Sequence, residues 1–206
     1  MLFDLLIIVL LFLLFGITHT ITASSELKKR LVEKIGDKIA FYRLFFNFSS
    51  LIIFVAIYEL SPKPDDVIYD LIFPYDIVMF VIQIFCVFGL LWTLKYIDGK
   101  EFLGISQIKR YVNGSYDTTE LDEHKTLVIK GPYKFSRHPV YLFSIVFLLA
   151  RPTMDIFYAV FLSCIIIYFY IGSIYEERKL IEQFGETYVN YRNNVSRIFP
   201  IKTFLK

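Results

Sequence analysis

The chain has few residues that could hold a metal ion or form a covalent cross-link. Its 206 residues include only two cysteines and three histidines. Cys86 and Cys164 both stand inside apolar runs, where a buried thiol is a simpler interpretation than a disulfide or a metal ligand. No Cys-x-x-Cys or His-Glu-x-x-His spacing occurs, so the sequence gives no support to a metal site and we expect no metal.

The chain also lacks the marks of a nucleic-acid-binding protein and of a soluble dinucleotide-binding enzyme. Its net charge of +2 is too small to indicate a nucleic-acid partner. It contains no Gly-x-Gly-x-x-Gly segment and no soluble block in which strands alternate with helices.

Apolar and aromatic residues dominate instead. They make up 56% and 18% of the chain, and the mean hydropathy is +0.54. Charged residues still amount to 20%, and most of them lie outside the long apolar runs. This separation predicts an all-α integral membrane protein that forms a single membrane domain over residues 1–206.

The apolar runs predict about five membrane-spanning helices, and the first three are close to the ~20 residues that a helix needs to cross a bilayer. The last two come from one long apolar block, which Arg151-Pro152 divides into a helical hairpin. The first run has no basic segment or small-residue cleavage site, so we expect a retained helix rather than a signal peptide. The predicted spans are 2–21, 41–60, 74–97, 139–150 and 153–175.

Basic residues predict the orientation of these spans. Six lie in the loop 24–43, eight in the loop 95–138 and six after residue 175, whereas the loop 59–76 has Lys63 as its one basic residue. The positive-inside rule therefore places the N-terminus outside and the C-terminus in the cytosol. The basic loops are expected to contact anionic membrane lipids. A C-terminal cofactor region, about 98–141 and 176–200, would then face the cytosol.

The segment Gly131–Tyr141 combines a turn, basic groups and the start of an apolar helix. Pro139 suits the first turn of a helix, and it places Arg137 and His138 at the helix N-terminus, where an anion would be favoured. The alternative is that Arg137 and Lys134 only extend to lipid headgroups and that His138 only caps the helix.

The segment Tyr175–Arg192 follows the last predicted span. Its alternating charges are typical of a solvated amphipathic helix, which is one interpretation. Against it, Glu176 and Glu177 stand at a membrane boundary, where carboxylates need partners. Phe184-Gly185 is expected to end the helix before a second aromatic stretch.

These two segments resemble the signature of the isoprenylcysteine carboxyl methyltransferase and phospholipid methyltransferase superfamily over about residues 120–200. That signature is Gly-x-Tyr-x-x-x-Arg-His-Pro-x-Tyr, a helical hairpin, and Glu-Glu-x-x-Leu-x-x-x-Phe-Gly-x-x-Tyr-x-x-Tyr. The matching residues are Gly131, Tyr133, Arg137, His138, Pro139 and Tyr141, followed by Glu176, Glu177, Leu180, Phe184, Gly185, Tyr188 and Tyr191.

The resemblance implies a methyltransferase that uses S-adenosyl-L-methionine and is built from membrane helices. It implies catalytic roles for Arg137, Glu176 and Glu177, of which one glutamate lines the reaction centre. It further implies cofactor contacts, which are assigned to His124, Gly131, Pro132, Tyr133, His138, Tyr141, Tyr188, Tyr191 and Gln107. Gln107 could instead be a loop hydrogen-bonding residue.

The N-terminal half is similar to a bacterial subgroup that includes methanethiol S-methyltransferases. This similarity lies in Phe15–Ser24, Tyr42–Asn47 and Phe102–Gln107, with Thr20 where the subgroup has serine. It implies that His19, Arg43 and Asn47 contact the substrate. The alternatives are that His19 is a polar residue satisfied by a neighbouring helix, and that Arg43 and Asn47 brace helix packing.

The resemblance therefore predicts S-methylation of a small or lipophilic thiol, in a bacterial or archaeal inner membrane. The partners would be this methyl acceptor and membrane lipids. Methylation of a prenylcysteine carboxylate or of a phospholipid amine is the alternative. An NADPH-dependent membrane reductase and a non-enzymatic membrane scaffold are the lower-ranked alternatives.

Overall fold

The structure, a computed structural model, describes residues 1–119, 121 and 126–204, and it is mostly helical. Ten α-helices and two strands are defined within these residues. In chain order they are α1 (Leu2–Ala23), α2 (Ser25–Ile35), α3 (Tyr42–Leu60), β1 (Val67–Asp70), α4 (Tyr75–Leu94), α5 (Gly99–Leu103), α6 (Ile105–Val112), α7 (Pro139–Leu149), β2 (Thr153–Asp155), α8 (Ile156–Phe184), α9 (Glu186–Asn194) and α10 (Ile201–Phe204). Two 3₁₀ helices, Gly36–Phe41 and Gly131–Lys134, precede α3 and α7.

Four helical stretches among the described residues are long and apolar enough to cross a membrane. They are Leu2–Ala23, Ser25–Leu60, Tyr75–Leu94 and Ile156–Phe184. Large apolar side chains, Phe45, Phe85 and Phe88 among them, point outward from these stretches and are more than half exposed. This is the surface expected of helices that face lipid.

The chain folds into two compact units. Unit 1 comprises Met1–Pro62 and Ile97–Lys125, and unit 2 comprises Lys63–Tyr96 and Thr126–Lys206. Within unit 1, α1 packs on α3 through Phe12, Phe15 and Phe54, whose rings meet edge to face at 5.8–6.3 Å.

Within unit 2, α4 packs on α7, and α7 is followed by the long helix α8. One core cluster lies around Leu142, Ile145 and Ile198, so residues that follow α9 pack against α7. A second cluster lies around Tyr188, Tyr191 and Val195.

The fourth predicted span forms a helix of 11 residues, α7. At 1.5 Å per residue this helix is about 16 Å long, roughly half of the ~30 Å hydrocarbon layer. It begins at Pro139, as the sequence predicts, because proline at the first helical position gives up no intrahelical hydrogen bond.

Helix α8 begins three residues after the start of the last predicted span, which was placed at about residue 153, and a short strand precedes it. Thr153–Asp155 form the strand β2, which pairs antiparallel with β1 and brings Val67 opposite Asp155. Helix α8 starts only at Ile156, where the Asp155 carboxylate accepts a 2.7 Å hydrogen bond from the Tyr158 backbone N–H.

Helix α8 continues well beyond the predicted end of the span at residue 175. It ends at Phe184, and Gly185 follows with a φ of +54°, which favours glycine. Glu176 and Glu177 are therefore part of the same continuous helix as the apolar segment before them.

Candidate active site

The C-terminal residues of unit 2 lie against the start of α7. The backbone N–H of Arg137 donates to the Ser196 carbonyl, and that of His138 to the Arg197 carbonyl, both at 2.9 Å. Just before them, the buried Pro132 carbonyl accepts hydrogen bonds from the Phe135 and Ser136 N–H groups, which closes a tight turn. The extended backbone before Pro139 thus has its donors satisfied by residues about sixty positions further along.

Glu177 lies at the centre of a buried network of charged groups and is 2% exposed. Its Oε1 accepts hydrogen bonds from Arg137 Nε at 2.8 Å and Nη2 at 2.7 Å, and lies 3.2 Å from His138 Nε2. Its Oε2 accepts from Arg197 Nη2 at 3.1 Å. A buried carboxylate needs such partners, since an isolated charge in the interior is costly.

The Arg137 guanidinium is fully committed to this network. Besides its two bonds to Glu177, its Nη1 donates to the carbonyls of Arg192 and Val195. Arg137 therefore joins the end of α9 to α8 and is itself buried.

Glu176, the next residue of α8, is in a different environment. Its side chain is 44% exposed. Its Oε1 accepts a 2.6 Å hydrogen bond from the Tyr141 hydroxyl, and its Oε2 lies 3.2 Å from His138 Nδ1. The two glutamates differ because successive helical residues are rotated by about 100° around the axis.

His138 connects the two glutamates, with one ring nitrogen to each. The ring stacks on Tyr141 at 5.3 Å, and Tyr141 stacks on Phe169 of α8 at 4.4 Å. Burial alone would lower the pKa of His138, but its hydrogen bonds to Glu176 and Glu177 and their negative charges raise that pKa above its usual 6.5. His138 is therefore held as a cation to higher pH than an ordinary histidine.

Three tyrosines pack behind this network. The Tyr191 hydroxyl donates to the Tyr133 carbonyl at 2.6 Å. The Tyr188 side chain is 1% exposed, and within the described part of the chain its buried hydroxyl makes no hydrogen bond of standard geometry. Burial and the charge of Glu177 raise the pKa of Tyr188 to about 12, so that hydroxyl stays protonated.

Gly131 occupies a position that no other residue fits. Its φ is +58°, and a Cβ atom there would lie 2.4 Å from the Tyr96 ring. The turn that leads to Arg137 therefore packs tightly against Tyr96, two residues after the end of α4.

Unit 1 holds a separate buried polar cluster around Gln107. Glu101 accepts a 3.0 Å hydrogen bond from Gln107 Nε2 and is ion-paired with Arg110. The other amide atom of Gln107, Oε1, is buried and has no hydrogen-bond partner among the described residues.

The predicted substrate residues also lie in unit 1. His19 Nδ1 is 3.0 Å from the Ser50 hydroxyl, with the Phe46 ring at 4.7 Å. Arg43 Nε and Asn47 Nδ2 both donate to the Phe102 carbonyl, at 3.0 and 2.8 Å. These contacts match the bracing alternative, and contact with a substrate stays a prediction.

The structure brings most of the predicted site residues together in unit 2. The residues in or directly beside the network are Arg137, His138, Tyr141, Glu176, Glu177, Tyr133, Tyr188 and Tyr191. His124 lies outside the described residues. Sequence reasoning missed Arg197 and Phe169: the arginine looked like one more basic residue of the tail, and the phenylalanine like one more apolar residue of a span.

Comparison with known proteins finds three similar methyltransferases. Methanethiol S-methyltransferase 1 of Bradyrhizobium diazoefficiens is 31% identical over 194 residues, which cover 93% of this chain and 65% of the relative. Methanethiol S-methyltransferases of Pseudomonas deceptionensis and Crocosphaera subtropica are each 27% identical, over 203 and 197 residues. These matches cover 95% and 91% of this chain, and 72% and 71% of the two relatives.

The chain thus spans 65 to 72% of the length of these relatives. Their names match the subgroup that the sequence motifs predicted. No model of a known family matches the chain, and no solved structure matches it.

Proposed function

We propose that this protein is a membrane-integral, S-adenosyl-L-methionine-dependent methyltransferase that methylates the sulfur of a small or lipophilic thiol. The single observation that carries the proposal is the network in unit 2, where buried Glu177 holds Arg137 and His138 while neighbouring Glu176 stays exposed. The names of the three relatives support both the reaction and the class of acceptor.

The residues of the site fit this cofactor, which carries a cationic sulfur, a carboxylate, an ammonium group and an adenine ring. Glu176 offers a partly exposed carboxylate, and the stacked rings of Tyr141 and Phe169 offer an aromatic surface. The Tyr188 hydroxyl is a buried polar atom that makes no hydrogen bond of standard geometry within the described chain. We therefore assign the holding of the cofactor to Gly131, Tyr133, His138, Tyr141 and Tyr188.

When bound, S-adenosyl-L-methionine supplies a methyl group activated by its sulfonium. The protein has to align the thiol with that methyl group and exclude water. Arg137 and Glu177 are positioning residues in this proposal, because their contacts join α8 to the start of α7, to the end of α9 and to Arg197. Their burial leaves Glu176 as the carboxylate that can reach a ligand.

The thiol must lose its proton before it can attack, since cysteine-like thiols titrate near ~8.5. We assign the acceptance of this proton to the Glu176 carboxylate, whose oxygens are held by the Tyr141 hydroxyl and by His138 Nδ1. His138 does not suit this role, because its two ring nitrogens already contact the carboxylates of Glu176 and Glu177.

The same proposal includes the orientation predicted from the basic loops, with the N-terminus outside and the C-terminus in the cytosol of a bacterial or archaeal inner membrane. The cofactor would enter from the cytosol. The thiol would enter between the helices, from the bilayer.

The proposal is tested with the purified full-length chain in detergent micelles and methyl-labelled S-adenosyl-L-methionine. The acceptors are small thiols of increasing chain length, a prenylated cysteine and phosphatidylethanolamine. We expect the label in the thioether. Glu176→Gln should lower kcat by at least about 10²-fold, whereas Glu182→Gln, an exposed glutamate of the same helix, should leave kcat unchanged.

Label transfer and thermal stabilisation by ligands, measured on the same purified protein, separate the alternatives. Label in the prenylated cysteine or the phospholipid alone would replace the thiol with another acceptor. Thermal stabilisation by NADPH but not by S-adenosylhomocysteine would indicate a reductase, and stabilisation by neither ligand would indicate a protein without this enzymatic function. Full activity of a folded Glu176→Gln variant would show that Glu176 does not take the proton.

A further inference from the structure

Arg197 is a member of the site that neither the motifs nor the relatives' names identify. It lies two residues after the buried Val195, where the chain returns to the start of α7. Its carbonyl accepts the hydrogen bond from the His138 N–H, so its backbone is fixed beside the site. Its Nη2 donates to Glu177 at 3.1 Å, and its guanidinium lies over the Tyr170 ring at 5.3 Å.

Arg197 still has donors to spare. Its side chain is 28% exposed, and among the described residues its Nε and Nη1 donate no hydrogen bond. Arg137, bound to the same glutamate, is buried and uses all three of its nitrogen atoms. A guanidinium carries five N–H donors in a fork that matches a carboxylate. Arg197 is therefore the arginine of the site that can bind a further anion.

The hydrogen-bonded chain across the site has opposite charges at its two exposed ends. It runs from Arg197 to Glu177, then through the His138 ring to Glu176. The two middle members are nearly inaccessible, with side chains 3% and 6% exposed. A ligand can therefore approach a cation at one end and a carboxylate at the other.

We propose that Arg197 binds the carboxylate of the ligand's amino-acid portion. The inference rests on the proposed function, because S-adenosyl-L-methionine has this carboxylate several bonds away from its cationic sulfur. The cationic part of the ligand suits the Glu176 end, and the carboxylate suits the Arg197 end. Arg197 cannot turn away from this position, since the bond to Glu177 and the contact with Tyr170 orient its guanidinium.

The test compares two ligands that differ in the carboxylate alone. They are S-adenosylhomocysteine and its decarboxylated analogue, 5′-deoxy-5′-(3-aminopropylthio)adenosine. Dissociation constants are measured by titration calorimetry on the purified full chain in detergent. The unaltered protein should bind S-adenosylhomocysteine at least about 10-fold more tightly than the analogue, the effect expected of a hydrogen-bonded charge pair.

Arg197→Gln should abolish this preference. Its affinity for S-adenosylhomocysteine should fall by about 10-fold or more, to that of the analogue, while its affinity for the analogue stays unchanged. Arg178→Gln is the matched control, because Arg178 follows Glu177 on α8 but is exposed. It removes the same charge and should keep the affinities of the unaltered protein for both ligands.

The possible results separate a binding role from a structural one. Equal losses for both ligands in Arg197→Gln, or no loss for either, would overturn the proposal. If Arg197→Gln does not fold, Arg197→Lys replaces it: its ammonium lacks the fork that contacts Glu177 and the ligand together, so S-adenosylhomocysteine affinity should fall at least about 3-fold. An unchanged affinity in that variant would equally overturn the proposal.

Failure of the proposed function gives a different result. The unaltered protein would then bind neither ligand, and the inference about Arg197 would fall with it. Tight binding of both ligands with equal affinity would leave the methyltransferase proposal standing and refute the role of Arg197 alone.

Discussion

Replacing Glu177 with glutamine should strongly destabilise unit 2, although the change alters only one atom of the side chain. Glu177 accepts from two arginines and contacts His138. The glutamine amide would offer Arg137, Arg197 and His138 one neutral oxygen in place of the two carboxylate oxygens. Its NH₂ group would also lie against one of these cationic side chains. Breaking a buried ion pair costs about 3–5 kcal/mol. Because glutamine keeps the shape of the side chain, we expect a loss of about 3 kcal/mol, at the lower end of that range.

Glu176→Gln is the matched control. It makes the same chemical change one residue earlier, on a side chain that is 44% exposed. Its amide oxygen can still accept the hydrogen bond from the Tyr141 hydroxyl. Partly exposed ion pairs contribute less than about 1 kcal/mol, so this variant should unfold close to the unaltered protein.

The assay uses a fluorophore that unit 2 already contains. Trp92 is the one tryptophan of the chain and packs 6.1 Å from the Phe135 ring. Its emission during heating in detergent follows unfolding of this unit. A loss of 3 kcal/mol corresponds to a decrease in Tm of about 6–12 °C for a chain of this size. A decrease of less than about 2 °C for Glu177→Gln, or equal decreases for both variants, would refute the assignment of the buried network to Glu177.

Three further changes test other parts of the site. Gly131→Ala should lower stability by about 1–3 kcal/mol, because it combines a positive φ with a contact at 2.4 Å from the Tyr96 ring; Gly99→Ala, where a Cβ meets no atom within 4 Å, should have little effect on the same melting curve. Tyr188→Phe should keep or raise the Tm without ligand, since it removes a buried hydroxyl that makes no hydrogen bond of standard geometry in the described chain; a loss above about 1 kcal/mol would contradict this. The folded protein binds the His138 imidazolium proton more tightly than the unfolded chain does, because the pKa of His138 is raised above 6.5 in the folded state. Protonated His138 should therefore stabilise the fold fully below pH 6.5, and this stabilisation should be lost as the pH rises through the folded pKa. Urea unfolding between pH 6 and 9 measures this slope, and His138→Asn should flatten it; an equal slope in the variant would show that another group titrates.

Much of the fold follows from local features of the sequence. Pro139 predicts the start of α7, and Gly185 predicts the end of α8, because each has a conformational property that acts at its own position. Strand β2 was missed for the opposite reason. Thr153–Asp155 are extended because they pair with Val67–Asp70, more than eighty residues away, and neither segment is long enough to show a periodic pattern.

The candidate site was predictable only to the level of residue types. The motifs identify the segments that hold Arg137, His138 and the two glutamates, and the structure adds that the segments meet. Whether Glu176 or Glu177 is buried depends on the rotation of α8 against α7, which the apolar sequence before them does not define. Arg197 could not be singled out, because the positive-inside rule already explains a basic residue in the tail.

The identical residues at 176 and 177 lie in two different environments because a helix separates neighbours by about 100°. Glu177 faces the residues that return after α9 and holds them, at a cost in desolvation that Arg137, Arg197 and His138 offset. Glu176 has a partly exposed side chain, and its contacts with His138 and Tyr141 fix the direction of its carboxylate. His138 contacts both carboxylates, so movement of the buried glutamate would also displace the exposed one. Rigidity in the buried half of the network is therefore what would keep a ligand-binding carboxylate in place in the exposed half.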